Sequence, residues 1–231
     1  MTLVVIPVEG MPELRPGDVL ADHIAERIAL ADGDVVVVTQ KVVSKVEDRL
    51  VPVDPDDPLS HKPLVEQESV RVLRRRGDLV ISETRHGFVC ANAGIDLSNV
   101  ERGWAALLPV DPDRSARRIR DGLRARAGVE VGVVVSDTFG RTWRRGVTDV
   151  AIGCAGIAAI VDLRGTTDAL GRELQVTEVA VADEIAAAAD LVMGKAAGIP
   201  VAVVRGLDRS WLRDGSVATE IIRRPDEDLF R

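Results

Sequence analysis

The 231-residue chain has no tyrosine, and aromatic residues make up only 3% of it. A core of ordinary size must therefore be built from Val, Ile, Leu and Ala, and the stacking platforms that hold single-stranded nucleic acids are excluded. There are only two cysteines, Cys90 and Cys154, and three histidines, His23, His61 and His86. No CxxC or Cys/His spacing occurs, which excludes a zinc centre, and both cysteines lie in apolar runs as buried thiols. His23 and His61 read as surface residues, and His86 as part of a turn with Gly87. A dominant basic footprint is missing too: the net charge is −7, so a duplex-binding surface is not expected. No apolar run approaches the roughly 20 residues of a membrane span. The opening Met-Thr-Leu-Val-Val-Ile-Pro lacks the basic and apolar regions of a signal peptide and reads as a strand. A cytoplasmic protein with neither nucleic-acid nor membrane partner is expected. Four nucleotide and hydrolase signatures are also absent: GxxxxGK[ST], a strand-linked GxGxxG, GxSxG and HExxH. The expectation is neither a P-loop nor a Rossmann fold.

What is present is a mixture of short β-branched runs and amphipathic segments. Residues 35–39 are a continuous β-branched run, as in a strand buried on both faces, and 129–136 reads as a second buried strand. Shorter strands are expected at 3–8, 49–53, 78–83, 87–92 and 200–204. Helices are expected after Asp18 (Leu20, Ile24 and Ile28 on one face), over 64–75, from Asp113 or Ser115, over 182–194 and near 216–223. Residues 54–63, with three prolines, form the clearest loop and a possible sub-domain break. The elements do not alternate in regular βαβ units, so the expected class is α+β with a mixed sheet.

Four segments carry chemistry. Residues 92–99 place Asp96 and Asn99, hard oxygen donors suited to Mg²⁺ or Mn²⁺, after an apolar strand. The same residues also fit an Asx turn in which Asp96 bonds its own backbone. Residues 136–146 set Asp137 and Thr138 at a strand end, followed by Arg141, Arg144 and Arg145 in a glycine-flanked loop. Metal and arginines together are what phosphoryl transfer needs; a strand-capping Asp and a solvated basic loop explain the pattern as well. Lys45, just past a buried strand, is either a phosphate contact or a surface lysine. Asp183 and Glu184 suit the first turn of an Ala-rich helix.

Together these segments resemble the coenzyme F420-0:γ-glutamyl ligase family. The resemblance runs along nearly the whole chain, through Pro7-Val8-Glu9-Gly10-Met11-Pro12, Asp32-Gly33-Asp34, Ser44-Lys45-Val46-Glu47, residues 92–99, Leu108-Pro109-Val110-Asp111, residues 136–146, Gly171-Arg172-Glu173-Leu174 and Ala182-Asp183-Glu184. Each motif is weak alone; their order is specific. The resemblance implies the family's own α+β mixed-sheet fold over residues 1–231, a homodimer, and GTP-dependent ligation of L-glutamate to F420-0. The implied route passes through an acyl phosphate, with GDP and phosphate released, a divalent ion (Mg²⁺ or Mn²⁺, two in number) and K⁺ assistance. Carried over by position, Asp96, Asp137 and Thr138 are the metal ligands. Met11, Pro12, Glu13, Leu14, Gln40, Lys45, Asn99 and the stretch Met193, Gly194, Lys195, Ala196, Ala197 and Gly198 are GTP contacts. Arg141, Arg144 and Arg145 face phosphate or substrate carboxylate. Gln40 stands where the family often has Ser. Lys195 stands where archaeal members place a metal-binding glutamate, which a cation cannot replace. This lysine form resembles actinobacterial members, usually fused to a C-terminal flavin-binding domain that the present sequence lacks; a separate flavin-dependent reductase is then an expected partner. Two alternatives stay open: an amide ligase for another carboxylate, and a non-catalytic GTP-binding module.

Overall fold

The computed structural model describes residues 2–195 and 197–229. In chain order its strands and helices are β1 (Val4–Pro7), α1 (Leu20–Ala25), β2 (Val35–Thr39), α2 (Gln40–Val46), β3 (Leu50–Pro52), α3 (Lys62–Glu68), β4 (Ser69–Arg76), β5 (Leu79–Thr84), β6 (Val89–Ala91), β7 (Trp104–Ala106), α4 (Pro112–Ala127), β8 (Gly132–Gly140), β9 (Val147–Ala155), β10 (Val161–Asp162), β11 (Glu178–Val179), α5 (Val181–Met193), β12 (Val201–Arg205) and α6 (Val217–Glu220).

The two long apolar runs become neighbouring strands. The main sheet has the order β1-β12-β2-β8-β9. Only β2 and β8 run parallel in it; every other pair is antiparallel. This is the expected α+β class with a mixed sheet. Val35, Val36, Val37, Val38, Val133, Val134 and Val135 are completely buried, so the sheet is covered on both faces. Helix α4 lies on β8 and β9, and α5 touches all five strands. The Ala-rich face of α5 permits that close approach: Ala182, Ala186 and Ala189 are buried. A second, smaller core gathers Val65, Val80, Ala93, Ile95, Ala105 and Leu107 between α3, the β4-β5-β6 sheet and the β3-β7 pair. Cys90 and Cys154 are buried free thiols, and burial pushes both up to about 12. No helix among the described residues is long and apolar enough to cross a membrane.

Several expected elements are corrected. The helix expected over 64–75 ends at Glu68, and Ser69–Arg76 is a strand. Val70 and Val72 alternate with Arg71, and Gly77, at φ 56°, turns the chain back onto β5. Asp18 does not cap α1; its carboxylate accepts from the Arg15 N–H within the preceding loop. Neither Asp113 nor Ser115 opens α4. Asp111 does, accepting from the Arg114 N–H, with Pro112 in the first turn. His61 is buried rather than exposed.

Asp113 instead ties three elements together. Its buried carboxylate accepts from the N–H groups of Cys154 (2.8 Å), Val217 (3.0 Å) and Ala218 (3.2 Å) and from Ser216 Oγ (2.7 Å). Removing it leaves buried donors unpaired. Urea unfolding is expected to show Asp113→Ala destabilised by about 3 kcal/mol, against about 1 kcal/mol for Asp111→Ala, which removes only an exposed helix cap.

Candidate active site

The register of the parallel pair sets Thr39 beside Ser136, so β2 and β8 deliver their carboxyl ends to the same place. Open sheets of this kind bind ligands outside those ends. From Thr39 the chain passes directly into α2, which carries Lys41 and Lys45. An irregularity in the β8–β9 register between Val135 and Ser136 re-aims the residues that follow. Asp137 and Thr138 thereby line a cavity of about 600 Å³. Its wall also includes the loop Met11, Pro12, Glu13 and Leu14, together with Asn99, Glu101, Asp149, Asp190 and the turn after α5.

Residues 92–99 reach the cavity by a tight change of direction. Asn92, Ala93 and Gly94 have φ of 50°, 54° and 72°, a left-handed run that reverses the chain after β6. Asp96 then pairs through its backbone with Ala106. One carboxylate oxygen accepts from the Ser98 N–H at 2.7 Å, so the Asx turn is real. The other oxygen lies 2.9 Å from Lys41 Nζ. Burial opposes the charged form of Asp96, but Lys41 and the Ser98 donors outweigh it and hold the carboxyl below its usual range.

Asp137 is in the opposite position. Burial, reinforced by the negative charges of Asp96 and Asp149, pushes its carboxyl up to about 7 against the Thr138 N–H bond and the Lys41 charge. Asp149 sits across the hairpin from Thr138 and is almost fully buried. It accepts from Ser136 Oγ (2.8 Å) and Thr138 Oγ1 (2.6 Å). The Thr138 hydroxyl proton is thus committed to Asp149, which leaves the oxygen's lone pairs for another partner. On α5, burial and the charge of Asp149 raise Asp190, with Lys195 opposing.

Such a donor set fits a hard divalent ion in an open arrangement. Among the described residues no group of three or more His, Cys, Asp or Glu side chains converges to enclose an ion. Two carboxylates and a hydroxyl beside a nucleotide-sized cavity match Mg²⁺, which keeps waters and takes substrate phosphate oxygens as further ligands. One turn after Lys41 on α2, Lys45 is buried and paired with Glu13.

The sequence pattern of the F420-0:Gamma-glutamyl ligase family matches residues 10–206. The chain belongs to that family. It is 44% identical over 247 positions to the Coenzyme F420:L-glutamate ligase of Methanopyrus kandleri, covering 100% of this chain and 98% of that protein. To the protein of the same name from Methanothermobacter thermautotrophicus it is 42% identical over 251 positions, covering 100% of both chains. To that from Archaeoglobus fulgidus it is 44% identical over 246 positions, covering 100% of this chain and 97% of that protein.

Most residues singled out from the sequence of this family member meet in the one cavity. Met11, Pro12, Glu13, Leu14, Gln40, Lys45, Asn99, Asp137, Thr138, Met193, Gly194, Lys195 and Gly198 line it. Asp96 stands just behind the wall and reaches it through Lys41. Gln40 is buried, with its amide nitrogen bonded to Ser44 Oγ and the Leu107 carbonyl. Asn99 donates to the Lys195 carbonyl at 3.2 Å and so closes one rim. Asp183 caps no N–H of its own helix; it accepts from the Ala151 N–H of β9. Ala197 is exposed outside the lining, and Ala196 lies outside the described residues. Arg141, Arg144 and Arg145 occupy the exposed turn between β8 and β9 and do not line the cavity. Sequence reasoning missed Lys41, Glu101, Asp149 and Asp190. Only Lys41 had a local signal, its place between a buried strand and Lys45.

The displaced carboxyl of Asp137 has a consequence for stability. Between pH 4 and 7 the folded chain holds a proton there that the unfolded chain releases, so stability falls as pH rises across that window. In protein free of divalent ions, Asp137→Asn is expected to gain on wild type by about 1 kcal/mol per pH unit from pH 4 to 7, and to hold that advantage above pH 7. Urea unfolding across this range measures it.

Proposed function

We propose that this chain ligates L-glutamate to coenzyme F420-0, with GTP as the phosphoryl donor and an acyl phosphate as the intermediate. Family membership supports the acceptor and the amino acid: relatives matched along their whole length are named Coenzyme F420:L-glutamate ligase. The observation that carries the rest is the pairing, in one cavity, of half-buried Asp137 at the β8 end and buried Asp149 on β9 with the buried Lys45.

In this reading Asp96, Asp137 and Thr138 hold the divalent ion, and Asp149 keeps the Thr138 hydroxyl turned for it. That ion, Mg²⁺ or Mn²⁺, supplies positive charge for the phosphoryl oxygens. Lys45 leaves Glu13 for the phosphates, and the loop at residues 11–14 and the turn after α5 close over the nucleotide. The terminal carboxylate of F420-0 attacks the γ-phosphorus and GDP leaves. The glutamate amine then attacks the acyl carbon, forming the amide and expelling phosphate. Here the protein contributes positioning and charge more than covalent work. Arg141, Arg144 and Arg145, on the exposed hairpin tip, would meet the anionic ends of F420-0 or glutamate. A second ion, K⁺ assistance, a homodimer and a flavin-dependent partner belong to the same proposal.

The test is an incubation with GTP, Mn²⁺ or Mg²⁺, L-glutamate and F420-0, followed by mass analysis. A product heavier by one glutamyl unit, with GDP in equal amount, is expected. Asp137→Ala should abolish turnover, by at least about 10³-fold, while leaving the fold intact. GTP binding without any ligated product, or undiminished turnover in that variant, would contradict the reading.

A further inference from the structure

We propose that Lys41 is a tethered counter-cation of Asp96 which the divalent ion displaces and the nucleotide phosphates receive, coupling metal binding to nucleotide binding. The inference rests on the metal reading above and concerns what stands at the ligand before the ion arrives.

Lys41 lies in the first turn of α2, immediately beyond β2, and lines the cavity. Its side chain is only 16% exposed. The ammonium is 2.9 Å from Asp96 Oδ2 and 2.9 Å from Ser98 Oγ. The remaining oxygen of Asp96 is taken by the Ser98 N–H. The carboxylate oxygen not held by the Ser98 turn is therefore the one that Lys41 occupies, and Lys41 itself lines the cavity. The same ammonium also acts on Asp137, the second acidic ligand.

A divalent ion on that oxygen would stand within a few ångströms of the ammonium as a like charge with little water between, and this repulsion favours the lysine's departure. The lysine has the means: a flexible four-carbon stem and three rotatable donors. In the empty cavity the other carboxylates of the wall, Glu101 and Asp190 among them, offer it single charges, and Glu13 is already paired with Lys45. A bound polyphosphate changes this by offering anionic oxygens inside the same cavity. Metal alone must then bind against the displacement of Lys41, whereas metal with nucleotide binds with the lysine re-paired. Linkage makes the effect reciprocal.

Titration of free Mn²⁺ by electron paramagnetic resonance tests this, with and without the β,γ-imido analogue of GTP. In wild type the analogue should tighten Mn²⁺ binding by at least about tenfold. Lys41→Met should bind Mn²⁺ alone about tenfold more tightly than wild type, and the tightening by analogue should shrink by the same factor. Lys41→Arg, which keeps the charge, should behave as wild type. Should Lys41→Met fail to fold, Lys41→Gln makes the same comparison while retaining a hydrogen bond to Asp96. If Lys41→Met and Lys41→Gln bind Mn²⁺ alone no more tightly than wild type, the inference is wrong and the metal reading survives. If no variant binds Mn²⁺ under any condition, both fall.

Discussion

The carboxylate of Asp137 is held by the central sheet where its charge is least welcome, and much of the site follows from that. The strand carrying it is buried to Val135 and bound on both sides, by β2 and β9. Asp96 approaches from a separate loop, and Asp149 from the facing strand. Three acidic groups are thus fixed by backbone pairing before any ligand arrives. Such an arrangement stores an electrostatic demand that only a cation can meet. Lys41 answers it in part, at Asp96. The proposed ion would answer it further, with oxygen donors alone and neither histidine nor cysteine.

Lys45, on the same helix as Lys41, has a similar arrangement. It is buried and paired with Glu13 on the loop that lines the cavity. Asn99 spans from the acidic loop to the Lys195 carbonyl. The charged groups of the cavity are thus held in internal pairs, which in the proposed function an anionic substrate and its metal would exchange. A cavity of about 600 Å³ lies within the range of small-molecule sites.

The strands at the centre were legible because their signal is continuous: an unbroken β-branched run at 35–39 and another before Ser136 admit few other structures. Asp96, Asp137 and Lys45 were legible as chemistry because each stands next to a buried run. The strand Ser69–Arg76 was misread because its alternation is short and arginine-rich, and what decides it is pairing with β5 across the Gly77 turn. Asp149 was illegible because its meaning lies in the hairpin register, which sets it against Thr138. Asp113 looked like a helix cap, yet its partners lie 41 and more residues away. Lys195 replaces a carboxylate expected from the resemblance. Asp190, five residues before it in the last turn of α5, brings a carboxylate to the same cavity, a relation that no single-position reading displays.

Oxygen isotope transfer tests the central claim most directly. F420-0 labelled with ¹⁸O in its terminal carboxylate is incubated with GTP, divalent ion and L-glutamate, and the released phosphate is analysed by mass. Attack of that carboxylate on the γ-phosphorus predicts one ¹⁸O in each phosphate released. Amide formation with phosphate free of label would contradict the account.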